Sequence, residues 1–412
     1  MPASSPGRRL ALYAAVAALG RMAGSGLPSA ILLGVLAASG TVAQGSVIIA
    51  TYTTIAAIMG PVSGAYVDRI ERPKRAYVAA LASLCVSAAL LATGIGRWPT
   101  GVLMVVAVLA GLSFPFVLGA WSAQLRRIAP EVEPARAYSV DVGTYNIADI
   151  AGPAIVGLAF IVDSAVPGAS SLEAVTALFL VALVALLLVR VPPRSATHVD
   201  LPQPFVRSLS ALSVMWTSLS LRRVTVISVV GYAAIGCYVV SMPLLGLDLA
   251  GDAGYGPLVL ALTACGALVG SILLARRPIR RYGPGSLVVV LSCGMALLYA
   301  VMAVAPSLIA AVPIALAIGL VEAPALSGVM QVRDRESTPS SRAMVFSTGS
   351  SMKVGAFAVG SLIAGALAGE GWRVILVVGA AIQVVAVVLA LVLAPPRGRS
   401  GSSVTTVGAD GE

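Results

Sequence analysis

Apolar residues in this chain neither alternate nor mark a single helical stripe. They come in unbroken runs of about 20, separated by short polar or basic breaks. Each run is long enough to cross a hydrocarbon layer of about 30 Å as a helix. Twelve are predicted: Leu10 to Ala38, Ser46 to Val67, Ala76 to Gly96, Thr100 to Ala123, Tyr138 to Val162, Leu172 to Val189, Val224 to Leu247, Tyr255 to Ala275, Ser286 to Ala305, Leu308 to Met330, Ala343 to Ala368 and Val374 to Leu393. The pattern predicts an all-α membrane protein of twelve transmembrane helices.

Composition agrees. The chain is 58% hydrophobic and 11% charged, with mean hydropathy +0.97, against roughly 25% charged in an ordinary soluble domain. A soluble globule cannot hide that much apolar surface, and the wealth of Ala, Gly, Val and Leu suits close helix packing in lipid.

Charge then orients the bundle. Of the 27 basic residues, all but Arg21, Arg97, Lys353 and Arg373 fall in the N-terminus, the even-numbered loops and the C-terminal tail. Basic residues near helix ends favour the cytoplasmic side, so both termini are expected in the cytoplasm. The net charge of +10 is read as this bias and excludes a nucleic-acid surface. Arg8-Arg9 before an apolar stretch resembles an export signal, but eleven further apolar segments follow it. Cys85, Cys237, Cys265 and Cys293 all fall within predicted helices, with neither disulfide nor metal-ligand spacing. No cofactor or metal is expected. Arg in place of Lys suggests a bacterial source and hence an inner-membrane location.

The chain repeats itself at an offset of 206 residues. Gly60 matches Gly266, Gly64 matches Gly270, Lys74 and Arg75 match Arg280 and Arg281, Arg136-Ala137 matches Arg342-Ala343, and Gly143 matches Gly349. Each match keeps its place in the topology. Two parallel six-helix repeats follow, residues 1–189 and 224–394, with substrate expected between them near the bilayer midplane. Residues 190–223 form a linker in which Phe205, Leu209, Leu212, Trp216 and Leu219 share a helical face, the mark of a surface amphipathic helix; His198 there reads as a solvated loop residue. Residues 395–412, rich in Ser, Gly and Thr, read as a disordered tail.

At the end of the second run stands Gly60-Pro-Val-Ser-Gly64-Ala-Tyr-Val-Asp68-Arg69-Ile-Glu-Arg72-Pro-Lys74-Arg75. It resembles the major facilitator superfamily signature between helices two and three: a Gly, an Asp-Arg pair four residues on, then a basic cluster. Glu71 stands where the family usually has Gly, Pro73 interrupts the basic run, and the second copy has Leu274 opposite Asp68. The resemblance implies that Asp68 faces the N-terminus of the eleventh helix, near Ser341 to Ala343, whose dipole favours an anion. It also implies that Gly64, Arg69, Arg72, Lys74 and Arg75 complete a breakable cytoplasmic gate. In the fifth helix Gly143, Gly152-Pro153 and Gly157 partly resemble the glycine-proline motif of drug and metabolite antiporters. The same residues also read as a packing surface and hinge. The fourth-helix arginine of those antiporters is absent from Thr100 to Gly119.

These features predict a monomeric secondary transporter that exports a small organic molecule, a drug or metabolite, in exchange for protons by alternating access. An uptake permease is the alternative. No Gly-x4-Gly-Lys-Ser/Thr phosphate loop occurs. A serine hydrolase has one foothold in Ser350-x-x-Lys353, without companion motifs, and no separate sensor domain is present, so the chain is not expected to be an enzyme. Tyr52, Phe114, Trp121, Tyr145, Tyr238 and Glu322 are candidate cavity residues, each aromatic being equally readable as packing. Four ionisable residues fall mid-helix, Arg21, Asp149, Glu322 and Lys353, where charge costs about 2.5–3.5 kcal/mol on the lenient scale unless it is paired or faces water. Depth pairs Arg21 with Asp149 and Glu322 with Lys353. Such carboxylates serve either as static salt bridges or as groups that exchange a proton for substrate.

Overall fold

The computed structural model describes residues 6–38, 40–162, 169–193, 215–216, 218–276, 283–337 and 342–393. Twelve long helices span it: α1 Pro6–Ala37, α2 Val42–Arg69, α3 Pro73–Gly94, α4 Thr100–Val117, α5 Pro134–Val162, α6 Ala169–Leu188, α7 Leu219–Ala250, α8 Tyr255–Arg276, α9 Pro284–Ala303, α10 Leu308–Glu336, α11 Arg342–Ala366 and α12 Trp372–Val392. Two single turns, Gly119–Ser122 and Leu125–Ile128, follow α4. Eleven of the twelve are long and apolar enough to cross a membrane. The exception is α11, where Lys353 sits beside a Gly- and Ser-rich stretch that buries against other helices.

Local chemistry sets the helix ends. Thr41, Ser218 and Ser307 accept a hydrogen bond from the backbone three residues on, at 3.2, 3.3 and 3.2 Å, and so cap α2, α7 and α10. Pro73 and Pro284 open α3 and α9, where no N–H is missed. Gly251, at φ +76, ends α7 in the left-handed conformation that glycine tolerates.

The two halves pack alike. In the first, α1 lies against α5 and α6, α2 against α4, and α3 against α4 and α6. In the second, α7 lies against α11 and α12, α8 against α10, and α9 against α10 and α12. Register repeats too. Contacts between α1 and α5 join residues 120 to 130 apart, and the Cys237 thiol of α7 meets the Gly360 carbonyl of α11 across 123. Between halves, α2 packs on α11 and α5 on α8, a reciprocal pair under the repeat.

Glycine permits these approaches. A Cβ on Gly319 of α10 would stand 1.8 Å from the Thr263 carbonyl oxygen, and one on Gly360 1.9 Å from that of Ala233. Outward faces carry exposed Leu, Val and Ile, as at Val105, Leu188, Ile309 and Val392, the surface that lipid requires. We call the end bearing the start of α1 the terminal end. Toward the opposite end one apolar core joins both halves, with Val240, Ala253 and Ala364 packed among first-half residues. At the terminal end the clusters around Ile227 and Val288, and around Leu221 and Val332, stay within the second half among the described residues.

Two helices outrun their apolar spans. α1 starts at Pro6, and α10 continues past Met330 to Glu336, which moves Arg333 from an expected loop into a helix. The amphipathic linker face through Phe205, Leu209 and Leu212, along with His198, the second-copy Arg280 and Arg281, and the tail from 395, lie outside the described residues. Of that face, Trp216 is exposed and Leu219 opens α7.

Candidate functional site

The first half holds a buried, closely bonded ion pair. Arg21 of α1, only 2% exposed, donates from Nη1 to Asp141 Oδ1 of α5 at 2.9 Å and from Nη2 to Ser122 Oγ at 2.7 Å; Thr144 Oγ1 accepts from Nη1 as well. Asp141 also accepts from the Tyr13 hydroxyl at 2.5 Å and the Ser122 hydroxyl at 2.8 Å. The Tyr145 ring covers the guanidinium at 3.6 Å from its centroid. Arg21 therefore bonds Asp141, against the expected Asp149. α1 begins below its apolar span, with Arg9 paired to Glu131 ahead of α5 at 2.7 Å, and this register sets Arg21 level with the Asp141 to Tyr145 turn. At exposed Glu131 a backbone hydrogen bond and then Arg9 hold the carboxyl below the usual carboxylate range.

Asp149 makes no ion pair within 4.0 Å among the described residues. It accepts from Ser25 Oγ at 3.2 Å, is exposed at mid-helix, and acts electrostatically on Glu322 and Tyr232 of the other half.

In the second half a cavity of about 50 Å³ lies among α7, α9, α10, α11 and α12, bordered by Ser228, Tyr232, Glu322, Lys353 and Gln383. Gly231 makes room for the Gln383 amide, which would lie 2.9 Å from a Cβ there. The Lys353 ammonium sits 4.5 Å over the Tyr232 ring. Among the described residues no ion pair within 4.0 Å joins Glu322 to Lys353, so the expected salt bridge is not made. The cavity lies inside the second half, next to the interface. Ser350 is exposed while Lys353 is buried, so the Ser-x-x-Lys pair points two ways.

Most candidate aromatics are packing. Trp121 stacks on Tyr13 at 5.5 Å, meets Tyr77 edge-on at 4.9 Å, and donates from Nε1 to the Tyr13 carbonyl at 3.3 Å. Tyr238 stacks on Tyr299 at 5.4 Å and shares a 2.7 Å hydrogen bond with Thr263. Phe114 leans on Tyr52 at 5.4 Å and fills the space beside Gly24. Glu322 lines the cavity and Tyr145 faces Arg21.

The fifth-helix glycines divide their work. Gly143 has open space around it, Gly152 presses on the Met22 carbonyl of α1, and Gly157 meets Gly254 at the start of α8 in the other half. Pro153 interrupts the α5 ladder beside that contact. At the terminal end Lys74 donates to the Leu187 and Val189 carbonyls at 2.9 and 2.8 Å, capping α6. Arg72, Lys74 and Arg75 border an open hollow beside Val191. Gly64 and the side chains of Asp68 and Arg69 lie outside the described residues.

Sequence reasoning missed Asp141 and Arg333. The signal for Asp141 was the spacing Asp141, Thr144, Tyr145, a single helical face of groups that suit a guanidinium.

The chain resembles solved transporters in fold. It matches the nucleoside transporter NupG with TM-score 0.75 and 13% identity over 93% of this chain and 98% of that one. A bacterial homolog of the human lysosomal transporter Spinster, inward-facing and unoccupied, matches with TM-score 0.70 and 14% identity over 94% and 96%. A POT family transporter in complex with 5-aminolevulinic acid matches with TM-score 0.70 and 12% identity over 93% and 96%. No curated protein matches in sequence. Residues 10–348 match the family model described as Major Facilitator Superfamily; on that match and the twelve-helix fold beneath it, the chain belongs to the Major Facilitator Superfamily.

Proposed function

We propose that the chain exports a small organic molecule in exchange for protons, by alternating access between its two halves, as a monomer in a bacterial inner membrane with both termini cytoplasmic. The observation that carries this reading is Glu322, a carboxylate on α10 that lines the second-half cavity without an ion-pair partner within 4.0 Å among the described residues. Asp149 approaches it electrostatically from the other half. An acid in that position can gain or lose a proton as the space between the halves opens to one side or the other. Export is favoured by the partial resemblance of Gly143, Gly152-Pro153 and Gly157 to the glycine-proline motif of drug and metabolite antiporters, and a bend at Pro153 next to the Gly157 contact with α8 would move one half against the other. Asp68 and the basic residues Arg69, Arg72 and Arg75 are assigned to the gate at the terminal end, on the family signature.

The test is transport itself. Proteoliposomes containing the purified chain, under an imposed pH gradient, are screened with toxic small molecules and with the metabolites secreted by the source cell. Uphill movement driven by protons in the opposite direction supports the proposal. Uphill movement in the same direction as protons makes the chain an uptake permease, and movement indifferent to the gradient removes proton coupling.

A further inference from the structure

Arg333 is fully buried near the terminal end of α10, with 0% exposure. Its one hydrogen bond runs from Nη2 to Ser228 Oγ of α7 at 3.4 Å, while Nε and Nη1 have no partner. Among the described residues no carboxylate lies within 4.0 Å of it. Arg21, the equally buried arginine of the first half, shows what a structural guanidinium looks like here: a carboxylate, two hydroxyls and a ring surround it. Burying a cation without such partners is expensive.

The neighbourhood holds further unused polar groups. Thr225, one turn from Ser228, and Thr348 of α11 both bury a hydroxyl without a partner. The second buried cation, Lys353, rests over a tyrosine ring and makes no ion pair within 4.0 Å among the described residues. Glu322 stands roughly 16 Å up the same helix and does not neutralise Arg333. Next to Thr348, Gly349 is what admits the guanidinium. A Cβ there would lie 2.4 Å from Cζ, 2.5 Å from Nη2 and 2.7 Å from Nη1. Those near-equal distances lay one face of the guanidinium on Gly349, while its Nε and Nη1 are shut off from solvent. Ser228 and Val329, one turn before Arg333, both line the 50 Å³ cavity. Its remaining wall at this end is apolar, Ile227 and Val288.

We propose that this end of the cavity binds the carboxylate of an organic anion, with Arg333 as the charge partner, Ser228 and Thr348 as hydroxyl donors and the apolar wall against the body of the molecule. A planar guanidinium edge suits a carboxylate, and a space of about 50 Å³ exceeds the roughly 10–15 Å³ needed to hold one water. This assignment rests on reading the chain as a transporter of small organic molecules and narrows its substrate class to organic carboxylates.

Binding without a gradient tests it separately from proton coupling. The full chain in nanodiscs is thermally unfolded with benzoate, phenylacetate and hexanoate, and in parallel with benzamide, phenylacetamide and hexanamide. At least one carboxylate is expected to raise the unfolding temperature while its amide does not. Arg333→Gln is expected to weaken that carboxylate by about 10- to 100-fold, and Arg333→Lys by less. Gly349→Ala keeps the charge but crowds the guanidinium, and is expected to weaken the carboxylate too, which keeps the test open if Arg333→Gln does not fold. Carboxylates and amides acting alike, inorganic phosphate protecting as well as the carboxylates, or selectivity surviving both Arg333→Gln and Gly349→Ala would each overturn the assignment. Loss of proton-driven transport in a Glu322 variant with carboxylate binding retained would leave it standing.

Discussion

Arg21 of α1 and Asp141 of α5 meet at 2.9 Å with their side chains 1% and 9% exposed, so this buried ion pair ties together two parallel helices of the same half. Ser122, Thr144, Tyr13 and Tyr145 surround it, and only the Arg21 Nε lacks a partner. A pair so closely surrounded serves structure. Removing one partner strands a buried charge, which costs about 3–5 kcal/mol. Asp141→Asn and Arg21→Met are each expected to lower stability by that order in thermal unfolding of the purified protein, and the double variant Arg21→Met/Asp141→Leu by less than either. Asp149→Asn, which keeps an oxygen to accept from Ser25 and loses only the charge, is expected to cost about 1 kcal/mol or less. Single variants as stable as the parent would refute a structural role.

The contrast between Asp141 and Asp149 shows what the sequence holds and withholds. Runs of apolar residues mark twelve helices because lipid demands length and hydropathy of each segment on its own. The half-length repeat was legible for the same reason: glycines and loop arginines keep their places segment by segment. Contacts between segments depend on register, and apolar runs conceal it, since α1 extends to Pro6 and α10 to Glu336 beyond their hydrophobic stretches. Counting from run ends therefore paired Arg21 with the wrong acid and left Arg333 in a loop. Aromatics were ambiguous for another reason. A helix in a bundle meets lipid, its own half and the other half, and nothing local to Trp121 or Tyr238 tells these apart.

The fifth-helix glycines offer a comparison within one motif. A Cβ at Gly157 would stand 2.5 Å from the Gly254 carbonyl oxygen of the other half, and the backbone there can yield only by moving α5 from α8. Gly157→Ala is expected to cost about 1–3 kcal/mol and to make an engineered cysteine at Ile161 more reactive to a soluble maleimide. Gly143 has nothing within 4 Å, so Gly143→Ala is expected to be neutral or stabilising by less than about 1 kcal/mol, since alanine favours the helix. Equal effects at the two positions would remove Gly157 from the interface between halves.

The basic bias of the terminal-end loops carries a topological prediction. Reporter fusions at Pro202, in the linker, and after Leu393 are expected to be active only as cytoplasmic reporters, and one at Gly254, between α7 and α8, only as an export-dependent reporter. An export-dependent signal from Pro202 would invert the orientation and with it the side on which the gate lies.

The last prediction concerns the two acids on either side of the interface. Asp149 of α5 and Glu322 of α10 act on one another electrostatically across the halves, and both lack an ion-pair partner within 4.0 Å among the described residues. Lys353 acts on Glu322 from a distance while its ammonium rests on Tyr232. If protons are exchanged for substrate, a neutral side chain at the exchanging position holds the site permanently in the protonated form. Substrate then still crosses with substrate, but the proton gradient no longer drives it. Glu322→Gln is accordingly expected to abolish accumulation under a pH gradient in proteoliposomes, by about 10-fold or more as for the loss of a positioned proton-transfer group, while counterflow of labelled against unlabelled substrate persists. Asp149→Asn is expected to weaken driven transport by a smaller factor, because removing its charge changes the field at Glu322 and leaves the exchanging acid in place. Glu322→Asp, which keeps the acid on a shorter stem, is expected to recover part of the driven rate, an outcome that packing alone does not produce. Should Glu322→Gln and Asp149→Asn both concentrate substrate like the parent chain, neither acid carries the coupling proton, and the cavity between Tyr232 and Glu322 serves only to hold the second half together.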